Sequence, residues 1–388
     1  MDEKRQPTNV TIYDISKRLG ISAATVSRAL NGSRRVSAKT RERVLAAARE
    51  MGYRRNSAAR SLRTGRSNII AFITDNLSSP LVSAMAAGAE GWLREREWAL
   101  FVVDGGEDFK DAGSFLSFFA RSQIAGVLVA GSWIHTIDDS WLEGHPAVCA
   151  FCLPGSGRFP SILTDDLTGG YLATRHLLEQ GYRRIALING PEHWWAAKRR
   201  LEGYRRALEE YGVAFEPAWV ENGDWKPESG YRKALELLRR ADLDGIFATN
   251  DYMAVGALWA ASELGLKVPE QVGIIGFDNR EVTQIARPKL SSVVLPMHEV
   301  GRLAAETLYR RIAEDGEVDV GAGARSVVAT ESVAPQPGGA AQWIEIAQST
   351  GAVRPACGPQ LKYVPCTLVV RNSSTSRPAV HEDEFPFY

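Results

Sequence analysis

Long apolar stretches are absent from this sequence. No window of 18 residues is continuously apolar, and the start Met1-Asp2-Glu3-Lys4 does not open the charged-then-apolar pattern of a secretory leader. These absences predict a chain that neither spans a membrane nor is exported across one. We therefore expect a cytoplasmic protein without a membrane partner.

Cysteine and histidine are scarce. The four cysteines among 388 residues are too few for a disulfide framework in a chain of this length. Cys149 and Cys152 form a CxxC pair, but both fall in an apolar strand predicted from Ala147 to Leu153, whose alternation would point them to opposite faces. The six histidines show no metal-ligand spacing, so we predict no metal site.

Familiar catalytic motifs are also missing. The sequence has no glycine-rich phosphate loop with Gly-Lys-Ser/Thr, no His-Glu-x-x-His motif and no Gly-x-Ser-x-Gly nucleophile elbow. Gly169-Gly170 is too short for a dinucleotide fingerprint. We predict that the chain is not an enzyme and carries no cofactor.

The net charge of zero conceals a strong asymmetry. Residues 1–66 contain 16 Lys and Arg but 5 Asp and Glu, whereas the remaining residues contain 30 and 41. A basic head on an acidic body is typical of nucleic-acid binding through the head, because the body is repelled by phosphates.

Two short helices joined by a tight turn are predicted inside this basic head. Thr11 with Asp14 three residues later resembles a capping box, and Gly20 ends the first helix because glycine enters the left-handed conformation without steric cost. Ser22 is suited to cap the second helix. This pattern is a helix-turn-helix, and a third helix is predicted from Ser37 to Met51, with a packing face of Val44, Leu45, Ala48 and Met51.

The second helix of a helix-turn-helix reads base edges in the major groove. Arg28 on its exposed face can donate two hydrogen bonds to a guanine, and Ala23 and Ala24 can contact a thymine methyl group. We predict these three residues as the base-reading set.

A resemblance to the lactose-repressor (LacI/GalR) family rests on ordered, closely spaced motifs in the head. They are Tyr13-Asp14-Ile15, Thr25-Val26-Ser27-Arg28, Asn31-Gly32, Val36-Ser37, Thr40-Arg41-Glu42-Arg43-Val44, Gly52-Tyr53 and Ala59-Arg60-Ser61-Leu62-Arg63. The resemblance implies phosphate contacts by Thr11, Tyr13, Ser22, Thr25, Asn31 and Ser37. It also implies a hinge helix whose minor-groove residues are Ala59, Leu62 and Arg63, with Leu62 as the apolar wedge that kinks DNA.

From Asn68 onward, short apolar runs alternate with helical stretches. This alternation predicts parallel sheets covered by helices on both faces, and two such units side by side place a ligand cleft at the carboxyl ends of their strands. Motifs that include Thr164-Asp165-Asp166, Arg200-Leu201-Glu202-Gly203-Tyr204 and Gly276-Phe277-Asp278-Asn279 resemble the sensor of the same family, which implies a type I periplasmic-binding-protein-like fold with three chain crossings.

The predicted fold is thus a small all-α helix-turn-helix head followed by an α/β sensor of two parallel-sheet subdomains. The predicted segments are 10–55 for the DNA-binding domain, 56–66 for the hinge helix, 67–330 for the two-lobed ligand-binding and dimerisation domain, 331–361 for an insertion without an assigned role, 362–374 for the final sensor strand and 375–388 for a disordered tail.

An effector pocket is predicted from side chains at strand ends. Trp225 stands at a strand-to-helix loop, and the resemblance implies that it stacks on the effector and that Arg200 grips effector oxygens. Asn250 and Asp278 follow apolar strands, and Asp75 and Asn76 follow the first sensor strand. Trp194 and Ala196 occupy positions where purine-sensing members carry an arginine and a threonine, which favours a ring-stacking sugar.

The sequence therefore predicts a homodimeric, ligand-responsive transcriptional regulator, most simply a repressor. It would bind double-stranded, pseudo-palindromic operator DNA and sense a small sugar or sugar derivative. The alternatives are a purine- or nucleoside-responsive regulator of the same architecture, a sugar-binding transport protein, which the basic head opposes, and a sugar-active enzyme, for which we find no pair of catalytic carboxylates.

Overall fold

The computed structural model describes residues 10–30, 33, 35–53, 67–314 and 360–375. These residues fall into two compact units: a smaller one that includes the three N-terminal helices together with residues 119–125 and 309–314, and a larger one that contains nearly all of two six-stranded sheets. The predicted hinge helix, nearly all of the predicted insertion and all but the first residue of the predicted tail lie outside the described residues.

The helices are α1 (Ile12–Leu19), α2 (Ala23–Leu30), α3 (Ala38–Glu50), α4 (Pro80–Arg94), α5 (Leu116–Arg121), α6 (Asp166–Glu179), α7 (Trp195–Glu210), α8 (Pro227–Arg240), α9 (Asp251–Glu263), α10 (Val282–Ile285) and α11 (Met297–Glu314). The strands are β1 (Ile69–Thr74), β2 (Ala99–Asp104), β3 (Gly126–Ala130), β4 (Thr136–Ile137), β5 (Ala147–Ala150), β6 (Leu153–Pro154), β7 (Ser161–Thr164), β8 (Ile185–Asn189), β9 (Val220–Asn222), β10 (Gly245–Ala248), β11 (Gly273–Asp278), β12 (Ser291–Val294), β13 (Leu361–Val364) and β14 (Thr367–Val369).

Local sequence signals account for the three head helices. Thr11 and Asp14 form the predicted capping box at the start of α1, and Gly20 ends that helix with φ 65°. A compact core then joins α1, α2 and α3, formed by Ile15, Val26, Ala29, Leu30, Val44, Ala47 and Ala48. The predicted packing face of α3 is wrong at Leu45, which is 39% exposed, because Ala47, three residues after Val44, takes the core position instead.

Each sheet of the larger unit forms the centre of one lobe. The first sheet has the strand order β13-β7-β5-β3-β1-β2 and the second β14-β12-β11-β10-β8-β9. Central strands such as β3 and β8 are buried along their whole length, as parallel strands covered on both faces must be. In the second sheet β14 alone is antiparallel to its neighbour, β12.

The chain passes between the two lobes three times, as the family resemblance implies. It leaves the first sheet after β7 and returns to the first lobe after β12. On this return α11 packs closely on α4, since a Cβ added to Gly88 would lie 1.9 Å from the carbonyl oxygen of His298. The third passage lies between β13 and β14, which belong to different sheets.

Two sequence predictions need correction. The apolar spacing from Phe109 to Gln123 predicts one helix, but only α5 is α-helical there, because Phe109 has a positive φ of 61° and a 3-10 helix occupies Ala112–Phe115. The single final strand predicted for 362–374 is two strands, because the chain changes sheets at Pro365, which has no N–H to continue a ladder.

Candidate functional site

Helix α2 presents the residues predicted to read bases. Ala24 and Arg28 are exposed and Ala23 is partly exposed, all on the side of the helix away from the head core. On the second helix of a helix-turn-helix, an exposed guanidinium can reach the edge of a base in the major groove. The exposure of Arg28 on α2 is therefore compatible with the predicted base reading.

The predicted phosphate contacts gather at helix N-termini. Thr11, Ser22 and Ser37 stand directly before α1, α2 and α3, and the backbone N–H groups of Asp14, Thr25 and Thr40 donate to their hydroxyl oxygens. Helix N-termini carry free N–H groups and a partial positive charge, which suit a phosphate. Tyr13 is 70% exposed in the first turn of α1.

Four predicted DNA contacts lie outside the described residues. They are Asn31 after α2 and the hinge residues Ala59, Leu62 and Arg63.

In the second lobe, Trp225 and Trp194 come together at the carboxyl edge of the sheet. Their ring centroids are 5.5 Å apart. The Trp225 ring lies directly on the backbone after β8, where a Cβ on Gly190 would stand 2.0 Å from it, so only glycine permits this placement. Asn250 caps α9 through Met253 N and its Nδ2 donates to the Trp225 carbonyl oxygen at 2.9 Å, so it braces the tryptophan loop.

Arg200 and Asp278 are parts of a buried charge network. The Nε of Arg200 donates to Asp166 Oδ1 at 2.8 Å, and its Nη1 donates to the Thr249 carbonyl oxygen and lies 3.6 Å from Asp278 Oδ1. Burial raises the pKa of Asp278, and the guanidiniums of Arg200 and Arg280 oppose that rise. Since Arg200 is buried and already bonded to Asp166 and Thr249, only the remaining N–H groups of its guanidinium could bind an effector without breaking these contacts.

In the first lobe, Asp75 fixes a neighbouring loop. Its two oxygens accept from the backbone N–H of Ser132 at 2.8 Å and from the Ser132 hydroxyl at 3.0 Å. Burial raises the pKa of Asp75, and these hydrogen bonds act in the opposite direction. Asn76 is exposed and accepts from Ser78 N at 3.1 Å, which forms the turn before α4.

Sequence reasoning missed one aromatic residue of the cleft. Trp133, in the loop that Asp75 fixes, stacks on Trp194 of the second lobe with ring centroids 4.3 Å apart. The signal was available, since Trp133 follows the buried strand β3 by three residues, at the same edge of the sheet as Asp75.

Cys149 and Cys152 of the CxxC pair do not point to opposite faces of a strand, as the sequence predicts. Phe151 adopts a left-handed conformation with φ 57°, which ends the alternation of β5 and brings Cys152 to the Cys149 thiol rather than to the opposite face. A hydrogen bond with Cys152 and burial raise the pKa of Cys149 well above its usual value. Buried, protonated thiols are poor nucleophiles and metal ligands.

The described residues contain neither a metal-binding cluster nor a membrane-spanning helix. No group of three or more His, Cys, Asp or Glu side chains is arranged to hold a metal ion there. None of the helices in the same ranges is long and apolar enough to cross a membrane.

Comparison with known proteins gives consistent matches over both units. Residues 11–56 match bacterial regulatory proteins of the lacI family, and residues 174–332 match a periplasmic binding protein-like domain. The transcriptional repressor CytR of Escherichia coli K12 is 35% identical over 311 residues, which are 78% of this chain and 90% of CytR. The chain belongs to the LacI family.

Other LacI-family proteins extend the match. The repressor PurR of Proteus mirabilis is 32% identical over 79% of this chain and 92% of PurR. The solved complex of the regulator CelR with cellobiose is 28% identical, with a TM-score of 0.59 over 94% of this chain and 99% of CelR. The fold is also that of a solved lac repressor dimer bound to its operator. The match has 23% identity and a TM-score of 0.62, and it covers 95% of this chain and 100% of the repressor chain.

Family membership confirms the predicted fold class and the broad function. This LacI-family protein is a DNA-binding transcriptional regulator with a helix-turn-helix head and a periplasmic-binding-protein-like body. Its relatives are regulators and not enzymes, in agreement with the prediction from the missing catalytic motifs.

Proposed function

We propose that this regulator is a repressor that binds a pseudo-palindromic operator as a homodimer and releases or tightens it in response to a small sugar or sugar derivative. The observation that carries the proposal is the pairing of an exposed base-reading surface on α2 with an aromatic-lined cleft between two lobes of a separate body. A DNA-binding regulator works where the chromosome lies, so we place it in the cytoplasm.

The cleft supports a ring-shaped effector. Sugars bind proteins through an aromatic ring on their apolar face and through polar groups around their hydroxyls. Trp194 and Trp225 supply the rings, and Asn250 and Asp278 stand at strand ends beside them. The guanidinium of Arg200, on α7, lies 5.9 Å from the centroid of the Trp225 ring and 3.6 Å from Asp278. The structural neighbour CelR was solved in complex with cellobiose, which favours a sugar as the ligand of this chain too.

A purine or nucleoside is the second candidate, because a flat base also stacks on indole rings. The test is a thermal-shift screen of the full chain against sugars, sugar phosphates and nucleosides, followed by operator binding with each hit. A sugar that raises the melting temperature and changes operator affinity supports the proposal, whereas a response to nucleosides alone would select the second candidate.

Exposed apolar side chains support a dimer. β2 is the edge strand of the first sheet, and its Phe101 and Val102 are 41% and 39% exposed, with the Phe118 ring 5.5 Å from Phe101. On α9, Trp259 is 50% exposed. Apolar patches beside a sheet edge are typical of protein interfaces, and a second copy of this chain is the partner that a palindromic operator requires.

We expect Phe101→Glu to weaken dimerisation by about tenfold or more, because a carboxylate would be buried without a partner at the interface. Analytical ultracentrifugation over a concentration series measures the change. Val370→Glu is the matched control, since Val370 is also 41% exposed but lies outside this patch. If the two variants dimerised as the wild type does, the β2 edge would not be the interface.

We expect Arg28→Ala to lose about 1–3 kcal/mol at one symmetric guanine position and to relax base preference there. Thr25→Ala should instead weaken all sequences alike, because the predicted partner of Thr25 is a phosphate. Selection from randomised operator sites separates the two effects. An Arg28→Ala protein with unchanged base preference would remove Arg28 from the base-reading set.

A further inference from the structure

A continuous column of aromatic rings crosses the cleft. In the first lobe Phe109 stacks on His135 with centroids 6.2 Å apart, and His135 stacks on Trp133 at 4.3 Å. Trp133 then stacks on Trp194 of the second lobe at 4.3 Å, and Trp194 contacts Trp225 at 5.5 Å. The family resemblance supplied Trp225 and Trp194, but it assigned no role to the first-lobe part of this column.

The first lobe holds the Trp133 ring in place from behind. Ser132, the residue before Trp133, donates two hydrogen bonds to Asp75. The carbonyl oxygen of Trp133 lies 3.0 Å from His135 Nδ1. The His135 ring covers the rear face of the indole at an interplanar angle of 17°. Because the loop is already ordered, a ligand that stacks on the front face of Trp133 would not have to order it.

The front face of Trp133 meets Trp194 directly. Two rings with centroids 4.3 Å apart are in van der Waals contact, so a third ring can enter between them only if the lobes separate to roughly twice that spacing. Both indoles would keep an apolar partner in the process. Replacement of the Trp133–Trp194 contact by two contacts with a ligand ring therefore couples ligand entry to a larger distance between the lobes.

Polar atoms at the nearby strand ends indicate what the edge of such a ligand should carry. Trp225 Nε1, Asn189 Oδ1 and Thr249 Oγ1 are buried and have no hydrogen-bond partner among the described residues. Asn189 and Thr249 are 2% and 0% exposed, at the ends of β8 and β10. A hydroxyl group both donates and accepts, so it satisfies an indole N–H and an amide oxygen equally well.

We propose that Trp133 is an effector-binding residue of the first lobe and that a pyranose ring enters between Trp133 and Trp194. The inference rests on the proposed function and specifies its ligand. Two aromatic faces require C–H groups on both faces of the sugar, which pyranoses with all-equatorial hydroxyls provide. An axial hydroxyl would stand against one indole, so gluco-configured sugars should bind more tightly than galacto- or manno-configured ones.

The test uses the full chain and titration calorimetry with gluco-, galacto- and manno-configured mono- and disaccharides, cellobiose included, and with nucleosides. We expect a gluco-configured sugar to bind, Trp133→Ala to lose on the order of tenfold to a hundredfold in affinity, and Trp133→Phe to restore most of it. Trp141→Ala is the matched control, because Trp141 belongs to the same lobe and its indole N–H donates to Asp138 within its own turn.

Circular dichroism gives a second readout, in which the discriminating change is a weaker wild-type signal on sugar binding, because a merely structural Trp133 would not produce it. Stacked indoles couple their transitions, so the wild type should show a signal that Trp133→Phe removes and that the bound sugar weakens. Equal sugar affinity in wild type and Trp133→Ala would overturn the inference while the proposed function stands. Binding by nucleosides alone, or by no member of the panel, would overturn both the pyranose assignment and the sugar part of the proposed function.

Discussion

A shortened chain that begins at Ser67 is expected to lose sequence-specific operator binding. Residues 1–66 contain 16 of the basic side chains and 5 acidic ones, whereas the rest of the chain has 41 acidic against 30 basic residues. Without the head, the remaining acidic body repels the phosphate backbone. Specific binding exceeds non-specific binding by about a thousandfold or more in DNA-binding regulators, and that margin should disappear.

Fluorescence anisotropy with a labelled operator measures this loss. In the full chain the affinity should fall steeply as salt rises, because each phosphate contact releases counterions, and the shortened chain should show no such slope. The melting curve of the shortened chain is the control, since an intact body must melt as before. A shortened chain that bound the operator as tightly as the full one would contradict the assignment of the head.

The head could be predicted closely because its signals are local. A capping residue, a glycine at φ 65° and a buried helical face each act within a few residues of the chain, and the structure has Thr11, Gly20 and Val26 in those roles. The exception is Leu45, whose exposure depends on how α3 rotates against the other two helices. Such a rotation is tertiary information that apolar spacing does not carry.

Prediction of the body succeeded where strands are apolar and failed where they are not. The largely apolar sequences of β1, β3 and β8 predict strands, but β7 and β12 begin with buried serines and lack a continuous apolar run that would predict them. Their hydroxyls are satisfied by distant partners: Ser161 donates to the Cys152 carbonyl oxygen and Ser292 to Asp251. A polar strand is stable in a core only when such partners exist, and sequence spacing does not reveal them.

The candidate site was predicted in part for the same reason. Trp225, Asn250 and Asp278 follow strands of one sheet, so the rule for carboxyl ends of parallel strands finds them. Trp133 belongs to the other lobe, and its contact with Trp194 joins residues far apart in the chain. The bonds of Arg200 to Asp166 and to the Thr249 carbonyl oxygen could not be predicted either, because they join residues far apart in the chain.

Trp225→Ala is expected to abolish the effector response and to leave operator binding intact. The indole lies on the backbone at Gly190, contacts Trp194 at 5.5 Å and has a buried N–H without a hydrogen-bond partner among the described residues. Removal of this ring takes away the predicted stacking surface, which costs about a hundredfold or more in effector affinity. The helix predicted to read the bases is α2 of the head, which contains none of these residues.

Part of the Trp225 side chain also packs against the core of the second lobe, so some loss of stability must be separated from loss of binding. Trp219→Ala is the matched control, because Trp219 is a partly buried tryptophan that packs against the same core cluster. Both variants should melt at a lower temperature, but Trp219→Ala should keep its response. Operator affinity with and without effector and the melting curve of the unliganded protein are measured for both. If Trp225→Ala responded normally, or if Trp219→Ala lost its response to the same extent, Trp225 would be a core residue and the sugar assignment would lose its main aromatic surface.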